Sequence, residues 1–201
     1  MVGVRIISDS SEDEMVACFL LGELKSARFG AGIRQALAAA GRSERLVADA
    51  DLADPAENRA RRALLATVRG YGENRDVFED FPGDVRWIRA VLAASELARV
   101  RYIEYSYWNE LSGGSRLPGD AAERIRAGTR VFGVSNGRFI AAARAVRRGE
   151  HFVPLILAGP RPETLVCLEG HLRLTAYALA GFPAEVECLV GTAPTMGGWA
   201  R

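Results

Sequence analysis

The sequence predicts a mixed α+β protein, in which a small mixed sheet with helices follows a helical N-terminal segment. The main observation is the stretch 165–181. Its short apolar run, Leu-Val-Cys-Leu, is interrupted by Glu169-Gly170 and followed by a helical pattern that ends at Gly181. Such a run is typical of a buried strand, and glycine commonly ends a helix in a left-handed conformation. Helix-start signals upstream and further strand-like segments also indicate a mixture of helices and strands.

Residues 1–95 are predicted to form a helical N-terminal subdomain. Ser11 with Glu14 is a capping-box pattern in front of an apolar run, and a short helix is expected between glycines 30 and 41. Asp54 followed by Pro55 marks another helix start. After an aromatic and acidic loop, apolar residues at helical spacing predict one more helix, through Trp87, Ile88, Val91 and Leu92.

Residues 96–191 are predicted to form an α/β core. Alternating aromatic or apolar and polar residues at 101–107 indicate a strand. Besides the strand and helix at 165–181, the expected elements are a helix and two strands, at 139–149, 152–158 and 182–190. The glycine-rich segment 192–201 is predicted to be a C-terminal tail whose Met196 or Trp199 folds back over a pocket or an oligomer contact. A disordered tail is the alternative.

Length and composition are those of a globular protein, with 201 residues, of which 49% are hydrophobic and 25% charged. The formal net charge of +1 provides no general attraction to nucleic acid. The cysteines at positions 18, 167 and 188 lack metal or redox spacing, and the last two lie in predicted strands, where we expect them to be buried. Without a signal peptide or an apolar run long enough to cross a bilayer, we expect a cytoplasmic protein with no membrane partner.

The scarcity of lysine and histidine excludes several kinds of chemistry. Lys25 is the only lysine, so no P-loop motif exists and a catalytic lysine is disfavoured. The two histidines, His151 and His171, have no metal-site spacing, so we expect no zinc site. Nearly all of the positive charge is therefore carried by arginine.

The turn at Gly170 is predicted to bind a phosphate or another anion. A strand that passes through glycine straight into a helix leaves the first N–H groups of the helix unpaired, at the positive end of the helix dipole. His171 and Arg173 add a titratable ring and a permanent cation, and Thr175 follows in the next turn. The alternative is an ordinary strand-to-helix connection that happens to contain a histidine.

A second loop, at 112–116, is another candidate anion site. Its serines and glycines can place O–H and N–H donors around an anion, and its arginine adds a cation. The candidate ligands in this loop are Ser112, Gly114, Ser115 and Arg116. Loops of this composition are commonly structural, which is the alternative here.

The order of elements from about 100 to 191 resembles the ParB/sulfiredoxin-like nucleotide-binding domain. That family joins a helix, a strand beginning with Pro-Ile, a hairpin, a G-x-x-R turn that opens a helix, and a V-x-V strand. The turn reads G-E-R-R in ParB proteins and G-C-H-R in sulfiredoxins. Here it is Gly170-His171-Leu172-Arg173, which keeps the glycine and the last arginine. The resemblance implies a bound ATP or other nucleoside triphosphate with Mg²⁺, and it places both loops on that nucleotide.

The resemblance implies that nucleotide chemistry is available, and the favoured hypothesis is an enzyme that hydrolyses the nucleotide or transfers its phosphoryl group to a small-molecule substrate. Glu169, Glu104 or Glu110 would activate the acceptor, with His171 as an alternative base. The alternatives are a nucleic-acid-associated or nuclease-type protein and a non-catalytic, nucleotide-responsive switch. Sulfiredoxin-type reduction is disfavoured because His171 occupies the position of the sulfiredoxin cysteine.

The expected partners are a nucleotide and a small-molecule substrate, and a homo-oligomer is compatible with the sequence. Arginines concentrate between residues 120 and 150, where they could face DNA. A solvated helix face is the favoured interpretation, because a duplex-binding protein usually has a larger positive excess and a reading element. No helix-turn-helix pattern follows the core, which argues against a role in chromosome partition.

Overall fold

The structure, a computed structural model that describes residues 4–200, joins its strands into one mixed sheet with helices on both faces. The strands are β1 (Arg5–Asp9), β2 (Arg86–Ala93), β3 (Arg101–Tyr102), β4 (Leu155–Gly159), β5 (Val166–Glu169) and β6 (Glu185–Thr192). The helices are α1 (Glu12–Leu24), α2 (Gly30–Ala39), α3 (Arg45–Ala48), α4 (Pro55–Arg69), α5 (Ala94–Leu97), α6 (Ser106–Leu111), α7 (Pro118–Arg126), α8 (Gly137–Arg147) and α9 (His171–Ala180). The predicted α+β class is confirmed.

The sheet has the order β1-β2-β6-β4-β5-β3. The pairs β4/β6 and β3/β5 are parallel, and the other neighbours are antiparallel. Strand β4 lies inside the sheet because its sequence, LILAG, is apolar on both faces, and all of its residues are buried. Leu155 and Leu157 belong to the core on one face and Ile156 to the core on the other, which is typical of a strand covered by helices on both sides.

The two core halves come from different parts of the chain. Helices α1 to α4 pack on one face of the sheet around Phe19, Leu20 and Leu65, all fully buried. Helices α7 to α9 pack on the other face around Phe139 and Leu174. Each such side chain contributes about 1.5–3 kcal/mol through removal of its apolar surface from water. The sheet therefore joins the N-terminal and C-terminal helices through a shared central layer.

The edge strands of the sheet differ in how they are covered. Strand β1 is exposed along its whole length, and Ile6 and Ile7 keep 62% and 50% of their surface accessible. At the opposite edge, Tyr102 of β3 donates its N–H to the Arg116 carbonyl at 2.8 Å and accepts from Arg116 Nε at 2.8 Å. The outer backbone groups of Tyr102 are therefore already paired within the chain.

Two predicted helix starts are confirmed by their capping contacts. The Ser11 hydroxyl accepts a hydrogen bond from the Glu14 N–H at 3.2 Å at the start of α1. The Asp54 carboxylate accepts from the N–H groups of Ala56 and Glu57 at 2.7 and 3.3 Å at the start of α4. Each cap satisfies backbone donors that the helix cannot pair, an effect of about 1 kcal/mol.

The predicted helix through residues 87–92 is wrong, because this segment forms β2. Its apolar positions fit both a helical and an extended period, as is common for a short run. The choice is decided by pairing: all eight residues of β2 face partners in β6, and β1 pairs on the other side. The first 95 residues therefore contribute two strands to the sheet as well as helices. Residues 1–3 of that predicted subdomain lie outside the described part of the chain.

The predicted strand at 101–107 is also largely wrong. Only Arg101–Tyr102 is extended, and α6 begins at Ser106. The helix allows the Trp108 ring to stack on Tyr102, with centroids 4.8 Å apart, and to meet Phe139 at 6.2 Å. Burial of these rings outweighs the strand preference of the tyrosines, because strand propensity depends strongly on packing context.

The C-terminal tail folds back onto the core, as predicted for Met196 and Trp199. Met196 is fully buried. The Trp199 indole N–H donates to the Val77 carbonyl at 2.9 Å, and its ring meets Phe81 edge-on at 5.1 Å. The tail thus supports the loop that follows α4. Position 201 lies outside the described residues.

We expect Gly191→Ala to destabilise the protein by about 1–3 kcal/mol, because it overpacks the core. A Cβ at Gly191 would lie 2.7 Å from side-chain atoms of both Trp87 and Val85. Gly119→Ala, in α7, is the control, since a Cβ there meets nothing within 4 Å. The control should be neutral or stabilising by up to about 1 kcal/mol. Urea unfolding measures both, and equal stability of the two variants would contradict the packing described for β2 and β6.

Candidate functional site

The predicted strand-to-helix turn at Gly170 is confirmed. Strand β5 ends at Glu169, Gly170 has a φ of 108°, and α9 begins with the next residue. A Cβ at Gly170 would lie 2.5 Å from Leu155 Cδ2 and 2.9 Å from Arg173 Nη2. Both the positive φ and the close packing therefore require glycine at this position.

The first N–H groups of α9 are free, as the sequence predicted. The Leu174 N–H is the first that closes a helical turn, onto the Gly170 carbonyl at 2.8 Å. The N–H groups of His171, Leu172 and Arg173 have no acceptor among residues 4–200. Three donors at the positive end of a helix are a suitable anchor for an anion.

The Arg173 side chain is already engaged by the fold. Its Nη1 donates to the Val153 carbonyl at 2.7 Å, and its Nη2 donates to Glu169 Oε1 at 3.0 Å. The two charged side chains are only 9% and 17% exposed. Gly22 of α1 packs on the pair, since a Cβ there would lie 3.1 Å from Glu169 Oε1. The expected phosphate ligand and one expected base thus neutralise each other beneath α1.

His171 lies in a stack of aromatic rings. Its ring centroid is 5.0 Å from that of Trp108 and 6.1 Å from that of Tyr102, with interplanar angles of 17° and 20°. Its Nε2 is buried and has no hydrogen-bond partner in the described part of the chain. Burial, together with the positive charges of Arg69 and Arg173, lowers the pKa of His171 to about 3. The imidazole is therefore neutral near pH 7 and a weak base, but it can form a hydrogen bond.

Arg116 is the second buried cation of the candidate site. The residue has a φ of 62° and is buried, and its Nη1 lies 3.7 Å from Oε2 of the exposed Glu104. Its Nη2 is buried without a hydrogen-bond partner among the described residues. Burial is the main cause that lowers the pKa of Arg116, and the Glu104 carboxylate opposes it. Arg116 therefore keeps a donor that the fold does not use.

The hydroxyl groups of the candidate site bond mainly within their own segments. Ser112 donates to the Trp108 carbonyl at 2.8 Å, and Ser115 donates to the Ser112 carbonyl at 3.1 Å. Thr175 is fully buried, donates to the His171 carbonyl at 2.7 Å and lies 2.7 Å from the Tyr102 hydroxyl. These side chains shape the two loops rather than point to solvent. Gly114 and Glu110, in contrast, are exposed.

The two loops follow neighbouring parallel strands. Loop 112–116 is bonded to the end of β3, and the Gly170 turn lies at the end of β5. Helix α6 connects them, because Trp108 stacks on His171 through its ring and accepts from Ser112 through its carbonyl. Ligands of α/β sheets commonly bind outside the carboxyl ends of the strands. The structure therefore places both candidate loops at the carboxyl ends of β3 and β5, on the same side of the sheet.

Arg69, which no motif in the sequence indicated, lies close enough to influence the pKa of His171. Arg69 ends α4 and forms a buried ion pair with Glu23. Its Nε also lies 2.8 Å from Oδ2 of Asp76, which is exposed. The only sequence signal was its four-residue spacing from Leu65, which places both on one helix face. Its partners lie in separate segments and leave no local signal.

Two arginines of segment 120–150 cap a helix. Arg126 donates to the carbonyls of Ala178 and Leu179 at 3.1 and 3.3 Å, and Arg147 donates to the Leu179 carbonyl at 2.5 Å. These carbonyls are at the C-terminus of α9, where cations are favourable. Two of the arginines clustered in segment 120–150 therefore have a structural role.

No protein-family model, curated protein or solved structure matches this chain. Between residues 4 and 200, no helix has the length and apolar character needed to cross a membrane. The same residues include no group of three His, Cys, Asp or Glu side chains that could hold a metal ion. Their three cysteines are free thiols.

We expect Arg173→Ala to destabilise the protein by about 3–5 kcal/mol, because it leaves the Glu169 carboxylate buried without its partner. The hydrogen bond to Val153 is lost as well. Arg144→Ala, at an exposed position of α8, is the control and should change stability by less than about 0.5 kcal/mol. Chemical denaturation compares the two variants. If both variants changed stability by similarly small amounts, the Glu169–Arg173 pair would contribute little to the stability of the fold.

We expect His171 to lower the stability of the protein as the pH falls below 6.5. The pKa of His171 is about 3 in the folded chain and 6.5 ordinarily, so the unfolded chain binds a proton that the folded chain does not. Between pH 6.5 and 5, the free energy of unfolding of wild type should fall by about 1–2 kcal/mol relative to that of His171→Phe. Above about pH 7.5, where His171 is neutral in both states, the two plots of stability against pH should run parallel. Parallel curves throughout would contradict the low pKa.

Proposed function

We propose that the protein binds a nucleoside triphosphate at the carboxyl ends of β3 and β5, and hydrolyses it or transfers its phosphoryl group to a small molecule. One observation carries the proposal: three free N–H groups at the start of α9 lie next to a histidine whose buried Nε2 has no partner. A buried polar atom without a partner costs about 1–3 kcal/mol. A phosphate oxygen would satisfy these donors, which favours a ligand of this chemistry.

Charge at the proposed site is supplied mainly by Arg116. Its Nη2 is buried and has no hydrogen-bond partner among the described residues, whereas Arg173 is compensated by Glu169. His171 would contribute as a neutral ring that donates one hydrogen bond to a phosphate oxygen. The site thus combines one cation with several neutral donors, an arrangement that suits a phosphate chain accompanied by Mg²⁺.

Glu104 is the carboxylate that we assign to activating the acceptor. It is exposed and lies 3.7 Å from Arg116 Nη1, whereas Glu169 is held in the pair with Arg173. An exposed carboxylate next to the arginine that holds phosphate can accept a proton from an incoming hydroxyl group or water. When bound, Mg²⁺ would neutralise phosphate charge.

Nucleotide binding without turnover is the second candidate function. Two of the four catalytic candidates, Glu169 and His171, are compromised as bases, one by its ion pair and the other by its low pKa. A site with several binding groups and few basic ones is also compatible with a switch. The two candidates differ in whether ligand is consumed.

Calorimetric titration with Mg²⁺-ATP, CTP, GTP and inorganic tripolyphosphate tests the proposed binding. We expect at least one of these ligands to bind wild type, and His171→Phe to bind it about tenfold more weakly, because the Nε2 contact is lost while the ring stack remains. His151→Phe, on the surface, should bind as wild type does. If no nucleotide or polyphosphate binds wild type, or if His171→Phe binds equally well, the proposed site is incorrect.

Glu104→Gln separates the enzyme from the switch. For an enzyme, we expect phosphate release to fall at least about a hundredfold, with nucleotide affinity changed less than about threefold. Glu123→Gln, an exposed substitution in α7, is the matched control. Tight binding by wild type without any phosphate release or transfer would instead support the switch.

A further inference from the structure

A groove with no residue in common with the Gly170 turn lies between the start of α1 and the loop that follows α4. Its volume is about 330 Å³, which is within the range of small-molecule sites. Its lining includes one carboxylate and several apolar side chains: Glu12, Tyr71, Phe78, Phe81, Val85 and Trp87. Four of these six residues are aromatic.

The aromatic rings of the groove form a cup rather than a flat surface. The Tyr71 and Phe78 rings meet at 76° with centroids 4.9 Å apart, and the Phe78 and Phe81 rings meet at 86° and 5.5 Å. The Trp87 ring is stacked 6.5 Å from Phe81. Trp199, from the C-terminal tail, packs on Phe81 and holds it in place. Aromatic rings attract cations to their faces, and the attraction is largest for tryptophan.

Glu12 supplies a carboxylate at the edge of this cup. The Tyr71 hydroxyl donates a hydrogen bond to Glu12 and orients it. The next two residues of α1, Asp13 and Glu14, are each bonded to an arginine. Glu12, in contrast, has no cationic side chain within 4.0 Å among the described residues. The groove therefore contains a carboxylate that is paired with no cationic side chain of the described residues.

The loop that forms much of the groove also has a negative charge. Residues 71–85 contain five acidic residues and a single arginine. Such a segment repels anions and attracts cations. An inorganic cation is strongly hydrated and would gain little from apolar rings, whereas an organic cation can bury its carbon atoms against them. The lining thus matches a ligand with both an apolar surface and a positive charge.

We propose that this groove binds a small organic cation, an alkylated ammonium group, with its charge against Glu12 and its substituents against the aromatic rings. The site is independent of the proposed phosphate chemistry, because the two sites share no residue. The partly exposed rings of Tyr71 and Phe81 provide the contact area, with Phe78 and Trp87 packed behind them at 3% and 4% exposure. The carboxylate of Glu12 provides the preference for charge.

A pair of ligands of the same shape tests this proposal on the full chain. Choline carries a trimethylammonium group, and 3,3-dimethylbutan-1-ol has the same shape without the charge. We expect choline to shift the indole resonance of Trp87 in NMR titrations with millimolar affinity, and the neutral alcohol to bind at least about tenfold more weakly. Absence of choline binding, or equal binding of the alcohol, would overturn the proposal.

Two substitutions that each remove one negative charge show whether Glu12 is the recognition group. Glu12→Gln keeps an acceptor for Tyr71, and we expect it to weaken choline binding about tenfold. Glu79→Gln removes a charge from the same loop but lies outside the lining, so we expect less than about a twofold change. Circular dichroism checks that both variants fold. Equal weakening in both variants would show general attraction by the loop and would refute a site at Glu12.

Discussion

The buried pair of Glu169 and Arg173 is the interaction on which the arrangement of this protein depends. It connects four parts of the chain. Glu169 is at the end of β5 and Arg173 is near the start of α9. The segment before β4 accepts a hydrogen bond at Val153, and α1 approaches the pair at Gly22. A buried guanidinium requires partners for its donors, and a buried carboxylate requires a compensating charge. Glycine at position 22 lets α1 approach the pair closely, since a Cβ there would lie 3.1 Å from Glu169 Oε1.

This use of Arg173 changes how the Gly170 turn can act on a ligand. The arginine that most resembles a phosphate ligand in sequence serves the packing of α1, and the free donors that remain are backbone N–H groups, a neutral imidazole and one nitrogen of Arg116. Binding by such a set depends on hydrogen-bond geometry more than on net charge. It should consequently vary less with salt concentration than binding by a cluster of exposed arginines.

The sequence allowed prediction of the features that depend on neighbouring residues. The caps at Ser11 and Asp54 and the glycine turn before α9 need only residues within one helical turn. The errors concern β2, whose conformation is decided by β6 nearly a hundred residues later, and α6, whose Trp108 is placed by Tyr102 and His171. For the same reason, the glycine turn at position 170 could be predicted, whereas the burial of Arg173 under α1 and the influence of Arg69 on His171 could not.

The unequal edges of the sheet determine how copies of this chain could add to one another. Any strand added from outside must pair with β1, because Arg116 already occupies the outer backbone groups of Tyr102 in β3. Two copies that joined through their β1 strands would form a continuous twelve-stranded sheet whose ends are both β3. Neither end would accept a further strand, so assembly by edge pairing would stop at a two-fold pair and would not continue into a filament.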